Sequence, residues 1–327
     1  MIITKAPLRI SFLGGGTDYP AFFRHGSGAV LGAAIDKAIS ISAFRFYSEL
    51  HDYRLRISYS RNELVHGLDD IQHTPFRECL RHCGIERDIE LSSNADLPAF
   101  TGLGSSSTFV VALLQALHAF RGQLLQGMEL AYRAIQIERG VLKENVGLQD
   151  QTFAAVGGLN LVEFRAEDDI VVHRLPLSHE RRDELQRCLL LVFTQVKRKA
   201  EEVIARQLAR VDDNAERLVR MRTHVDEGFR ILTGSGTLAP FGELLHRAWV
   251  EKRSLDSAVS NERIDQLYQR GRDAGALGGK LLGAGGGGFL LFFVPPERRA
   301  AVSAALSQFP QVPVRIGSPG SRIIHAD

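Results

Sequence analysis

"PAFTGLGSSST", from Pro98 to Thr108, sets two glycines around a leucine, follows them with three serines, and opens directly into "TFVVALLQALHAF", Thr108–Phe120. The second run is apolar almost all round, as expected of a helix buried on most faces. A glycine loop at a helix N-terminus offers unpaired N–H groups and the positive end of the helix dipole to an anion. Serine hydroxyls placed there cap the helix, touch phosphate or ligate Mg2+. One serine suffices for a cap, so three of them after G-x-G favour phosphate.

Two further glycine stretches flank this one in the chain. "LGAGGGGFLLFF", Leu282–Phe293, carries Gly283, Gly285 and Gly288 in a G-x-G-x-x-G pattern. A dinucleotide fold needs that pattern to open a helix, whereas here a strand follows. Gly275 to Lys280 nearly matches a Walker A loop but is one residue short, with Leu281 where Ser or Thr is needed. Close backbone packing or a bulge is the plain alternative for these glycines. "APLRISFLGGGTDYPAFF", Ala6–Phe23, runs a strand containing Arg9 into three glycines, then Thr17, Asp18 and Tyr19. Asp and Tyr after a glycine turn suit a sugar, and a turn-stabilising Asp is the alternative.

The bulk composition bounds the rest. The chain has 327 residues, which suits about two domains. It is 44% hydrophobic and 24% charged, as in globular proteins, and its net charge is +2, too small to draw it to nucleic acid or anionic lipid. Cys79, Cys83 and Cys188 form no disulfide framework and no zinc spacing. The opening MIITKAPLRISFLGGG lacks an apolar signal region, and no apolar run reaches membrane-spanning length. A reduced, cytoplasmic protein is expected.

Periodicity predicts strands at Leu8–Leu13, Ala38–Tyr47, Arg54–Ser60, Gly157–Phe164 and Ile170–Leu175, and a helix through Met128–Arg139. The polar stretch Pro176–Glu184 is the candidate boundary. Beyond it the chain reads as a strand at Cys188–Phe193, helical segments over Lys199–Leu232, Phe241–Leu255 and Glu262–Ala274, a strand at Phe289–Val294, a helix after Pro296, and a last strand at Val312–Ile316. The division expected is 1–180 and 181–327, the second part an α+β layer of helices on a small sheet.

Three motifs in this order resemble those of the GHMP kinases, the superfamily of galactokinase, homoserine kinase, mevalonate kinase and phosphomevalonate kinase. The first is Ala6–Tyr19, the second Pro98–Ser106, the third Gly278–Gly288. "PLRISFLGGGTDYP", "ENVGLQDQ" and "AGALGGKLLGAGGGGFLLFFVPPE" are similar to the D-glycero-D-manno-heptose 7-phosphate kinases, with related fucose kinases sharing much of the pattern. The resemblance implies an N-terminal ribosomal-protein-S5-like domain and a C-terminal ferredoxin-like α+β domain. It also implies ATP with Mg2+, and phosphorylation of the anomeric C1 hydroxyl of the heptose 7-phosphate to the 1,7-bisphosphate, for nucleotide-heptose and surface-glycan synthesis.

The resemblance also assigns residues. It places the triphosphate over Gly102, Leu103, Gly104, Ser105, Ser106 and Ser107, with Ser106 and its carboxylate partner Glu138 on Mg2+. Asp150 matches the catalytic aspartate, and Arg9 the basic residue beside it. Asp18 matches the sugar-binding aspartate of galactokinase, with Gly15, Gly16, Thr17 and Tyr19 around it. Gly15-Gly16 replaces galactokinase's Glu-His, which argues against galactose. Gly285 and Gly286 are expected to approach the nucleotide phosphates or close the substrate cleft.

A phosphorylated sugar needs a second anion site. Lys197, Arg198 and Lys199 at a loop–helix junction are the first candidates, and Lys252 with Arg253 the second; a solvated charge run is the alternative for both. The partners expected are a sugar phosphate and ATP, with neither nucleic acid nor membrane, in a monomer or homodimer. The rival readings are an L-fucose kinase or other anomeric sugar kinase, and a non-catalytic sugar and ATP sensor.

Overall fold

The computed structural model describes residues 1–24, 26–196 and 200–327, and they form two sheets covered by helices. In chain order the strands are β1 (Ile2–Leu13), β2 (Gly28–Arg45), β3 (Leu55–Ser58), β4 (Asn62–Val65), β5 (Ile89–Ala95), β6 (Leu159–Phe164), β7 (Ile170–Arg174), β8 (Leu189–Phe193), β9 (Gly278–Leu281), β10 (Phe289–Phe293), β11 (Gln311–Val312) and β12 (Arg322–Ala326). The first sheet runs β12-β1-β2-β5-β3-β4, with β6 and β7 continuing from β2. Strands β1 and β2 are long because Ala6, Leu8, Ile10 and Phe12 on the first and Ala29, Leu31, Ala33 and Ile35 on the second are apolar and fully buried.

The helix Ser105–Phe120 packs on this sheet with Val110 through Leu117 wholly buried, which accounts for its lack of a polar stripe. Thr4 Oγ1 donates to Ala112 O at 2.8 Å and so ties β1 to the helix midpoint. The next helix, Gly127–Ile135, continues into a π-helical turn at Gln136–Val141. Sequence periodicity reads that whole stretch as one helix. The π turn admits an extra residue per turn, a feature frequent at functional positions.

The second sheet has the order β11-β8-β10-β9 and is antiparallel throughout. Numbered by chain order within the sheet this is 4-1-3-2, the ferredoxin-like arrangement expected. The crossover from β8 to β9 is enlarged to the helices Ala200–Leu208, Ala215–Thr233, Ala239–Arg253 and Glu262–Asp273. Asn261 caps the last of them by accepting the Ile264 N–H at 3.1 Å.

The tail returns to the first sheet. β12 pairs antiparallel with β1, matching Ile2 to Ala326 and Lys5 to Arg322, and Ile316 bridges Ile35. Residues that lie beyond position 180 therefore contribute to both sheets. The strand expected at Val312–Ile316 shrinks to Gln311–Val312, because the chain leaves β8 to make this crossing.

Candidate active site

β1 places Arg9 beneath the Gly102–Gly104 loop. Its backbone N–H donates to Leu103 O at 3.1 Å, and its guanidinium donates to Gly102 O at 2.6 Å. Gly104 is the N-cap of the helix Ser105–Phe120, with φ of 78°, and no side chain caps the first turn. The serines therefore do not serve as the cap, and the first-turn N–H groups remain open to an anion. Ser105 Oγ is buried with no hydrogen-bond partner among the described residues, Ser106 is exposed, and Ser107 is buried.

Ser107, rather than the expected Ser106, meets Glu138. Its hydroxyl donates to Glu138 Oε1 at 2.9 Å. One residue along a helix is a turn of about 100°, and that turn carries Ser106 outward. Glu138 is fully buried on the π-helical turn, so it is not a solvated helix face. Gln151 Nε2 donates to its Oε2 at 2.5 Å. Burial pushes the Glu138 carboxyl up to about 8. A buried hydroxyl–carboxylate pair beside a phosphate-type loop fits Mg2+, which takes one or two protein oxygens and keeps the rest for phosphate and water.

The helix Gln149–Val156 brings Asp150 to Arg9. Arg9 Nε donates to Asp150 Oδ1 at 2.7 Å, and a terminal nitrogen donates to Oδ2 at 2.9 Å. The Arg9 side chain is 4% exposed and that of Asp150 is 24% exposed, so the carboxylate is within reach of solvent while the guanidinium is enclosed. A Cβ at Gly104 would sit 3.2 Å from Asp150 Oδ2. The glycine loop and the carboxylate thus adjoin directly.

Two lysines complete the charge pattern, and both are nearly enclosed. Lys252 Nζ donates to Leu281 O at 3.1 Å and to Gly283 O; Lys280 Nζ donates to Phe12 O at 2.9 Å. Neither has a carboxylate in ion-pair contact among the described residues. Burial, with the Arg9 charge adding to it and Asp18 opposing it, lowers the Lys252 ammonium to about 7; burial, with the Lys252 charge adding to it, also holds Lys280 well below the usual lysine range. Arg253, the partner of Lys252 in the expected pair, pairs instead with Asp265 at 2.9 Å. Lys197, Arg198 and Lys199 lie outside the described residues.

The Gly14–Tyr19 turn differs from expectation. Thr17 is fully buried, donating to Gly14 O and Ala29 O and accepting from Ala29 N–H, so its side chain holds the turn. Asp18 is also fully buried; its Oδ1 accepts from Gly16 N–H at 2.9 Å and its Oδ2 from Gln149 N–H at 3.4 Å. Burial raises its carboxyl. Asp18 thus fastens the turn to the Asp150 helix, the turn-stabilising alternative, while Gly15, Gly16 and Tyr19 stay partly exposed.

Gly285 and Gly286 are buried too, and backbone packing explains them. A Cβ at Gly285 would lie 2.7 Å from Val259 Cα, and Gly286 N–H donates to Val259 O at 2.8 Å. The same hairpin crosses the Gly102 loop, where a Cβ at Gly283 would lie 2.6 Å from Gly102 Cα. The glycines let two backbones touch, so the hairpin supports the Gly102 loop from behind. Ser11, Gln149 and Gln151 were not singled out by sequence reasoning, and Ser107 was expected on phosphate rather than beside Glu138. The doubled Gln around Asp150 in "LQDQ" was the available signal.

The GHMP kinases N terminal domain model matches residues 73–158 and the GHMP kinases C terminal model matches 230–311, together about half of the chain. The D-glycero-alpha-D-manno-heptose 7-phosphate kinase of Campylobacter jejuni is 29% identical over 297 residues, covering 87% of this chain and 86% of the relative. The L-fucokinase/L-fucose-1-P guanylyltransferase of Bacteroides fragilis is 27% identical over 320 residues, covering 86% of this chain but 33% of the relative. In structure, a D-glycero-D-manno-heptose 1-phosphate kinase from Bacteroides thetaiotaomicron superposes over 100% of both chains with a TM-score of 0.81 at 24% identity, a likeness of fold.

Proposed function

The chain belongs to the GHMP kinases, and from that premise we propose that it transfers the terminal phosphoryl group of ATP to the anomeric hydroxyl of D-glycero-D-manno-heptose 7-phosphate. The product is the 1,7-bisphosphate, made in the cytoplasm for nucleotide-activated heptose and surface glycans. The observation that carries the reading is the doubly hydrogen-bonded Arg9–Asp150 pair seated against Gly104.

In this reading the triphosphate lies over Gly102–Ser107, held by the open N–H groups of the helix start. Asp150 accepts the proton of the anomeric hydroxyl, or orients that hydroxyl, as its oxygen bonds to the γ-phosphorus. The bond from that phosphorus to the bridging oxygen breaks, and ADP leaves. Arg9 fixes the carboxylate and brings positive charge to the group in flight. Ser107 and Glu138 would hold Mg2+, which supplies charge neutralisation on the phosphates. The buried Lys252 and Lys280 tie the Leu281, Gly283 and Phe12 carbonyls together behind the site. A sensor has no need of so complete a transfer pair, which weighs against the non-catalytic reading.

The match to the fucokinase relative favours an unphosphorylated sugar as the second reading. ADP release with Mg-ATP and the heptose 7-phosphate, beside the dephosphorylated heptose, L-fucose and galactose, separates the two. Turnover confined to the 7-phosphate and lost in Asp150→Asn supports the first. Turnover with L-fucose at equal or higher kcat/KM replaces it with the second.

A further inference from the structure

Ser11 lies two residues beyond Arg9 on β1 and shares its face of the strand. Its hydroxyl is buried and has no hydrogen-bond partner among the described residues. Gln149 directly precedes Asp150. Its backbone N–H is spent on Asp18, but its side-chain amide is unpaired among the described residues, with Oε1 buried. Both groups border Gly15 on the side where a side chain would stand. A Cβ at Gly15 would lie 3.4 Å from Ser11 Oγ and 3.6 Å from Gln149 Nε2, and Gly15 carries none. Buried polar groups in folded proteins are nearly always paired. Two orphans, each the neighbour of one member of the Arg9–Asp150 pair, leave a place for a ligand's polar atoms.

The chemistry narrows that ligand. A serine hydroxyl donates once and accepts, and a carboxamide offers one donor side and one acceptor side in either orientation. Neither carries charge, so the complement is a neutral group that both donates and accepts, which is a sugar hydroxyl. Asp18, expected to read the sugar, has its oxygens on backbone amides and leaves that role open. We propose that Ser11 and Gln149 form a hydroxyl-reading subsite that engages the ring hydroxyl next to the one phosphorylated. The inference rests on the sugar-kinase reading above and adds the residues that select the sugar.

The test uses the full chain with Ser11→Ala and Gln149→Leu. The probes are D-glycero-D-manno-heptose 7-phosphate and its 2-deoxy analogue, with Mg-ATP. Loss of one hydrogen bond in an enclosed site is expected to raise KM for the sugar about tenfold in each variant, with KM for ATP and Tm unchanged. The wild type is expected to prefer the 2-hydroxylated sugar by about tenfold or more, and the variants to lose that preference. Retained preference in both variants, or parallel changes in KM for ATP and sugar, would overturn the subsite. If another sugar proves to be the substrate, the heptose reading fails, and the same variants with that sugar and its deoxy analogue decide the subsite separately. Equilibrium binding of the sugars gives the same comparison in the absence of turnover.

Discussion

Arg9 grips Asp150 with two parallel hydrogen bonds, at 2.7 and 2.9 Å, while a third from the same guanidinium reaches Gly102 O. One buried side chain therefore sets both the carboxylate and the loop above it. A lysine keeps the charge but has no planar fork. Arg9→Lys is expected to lower kcat about a hundredfold or more, with KM for Mg-ATP changed far less. Steady-state kinetics in both substrates checks this, and a near-normal kcat would count against it.

Glu138 and Ser107 face each other under the anion loop at 2.9 Å. Glu138→Gln keeps the shape but cannot give up a proton to present the carboxylate that suits Mg2+. Its requirement for free Mg2+ is expected to rise about tenfold or more, as is that of Ser107→Ala, while Ser106→Ala stays near wild type. Mg2+ titrations at fixed ATP decide between the two serines.

Lys252 supplies a pH signature. An unfolded lysine keeps its proton to about 10.4, whereas burial lets the folded chain release it near 7. Between those values the unfolded state binds more protons, so stability rises with pH, by about 1.4 kcal/mol per pH unit for each full proton of difference. Lys280, shifted the same way, adds to the slope in wild type and variant alike. Denaturant midpoints from pH 7.5 to 9.5 are expected to climb less steeply in Lys252→Met than in the wild type. Equal slopes would show that Lys252 keeps its proton when folded.

Gly283 crosses Gly102 where a Cβ would come within 2.6 Å of the opposing Cα, and its φ is 72°. Gly283→Ala therefore strains its own backbone and pushes the anion loop. A loss of about 2 kcal/mol or more is expected, together with weaker Mg-ATP binding. Calorimetry and nucleotide titration check the pair of effects; unchanged stability would mean that the crossing is looser than the close approach implies.

The parts legible in the sequence were local ones. Gly102–Ser107 and Asp150 sit in short contiguous motifs, and Phe289–Phe293 is a bare apolar strand. Less legible were features set by distant partners. The choice of Ser107 over Ser106 depends on helix phase against Glu138, and Glu138 becomes buried only through a π-helical turn that periodicity does not announce. Thr17 and Asp18 have side chains suited to a sugar, yet the Ala29, Gly16 and Gln149 backbones claim them. β12 is mostly exposed and lies at the far end of the chain from β1, so nothing in its composition signals the pairing. Lys252 reads as a charge-run residue until the carbonyls of Leu281 and Gly283 are placed around it.

Phosphoryl transfer to the anomeric oxygen by the Arg9–Asp150 pair is tested most directly by phosphorus NMR of the product formed from Mg-ATP and D-glycero-D-manno-heptose 7-phosphate. The proposed function predicts that the 7-phosphate signal persists. A new phosphate resonance should appear, coupled to the anomeric proton, and be abolished or slowed at least a hundredfold in Asp150→Asn. A new phosphate on any other carbon, or its formation at the wild-type rate without the Asp150 carboxylate, would contradict it.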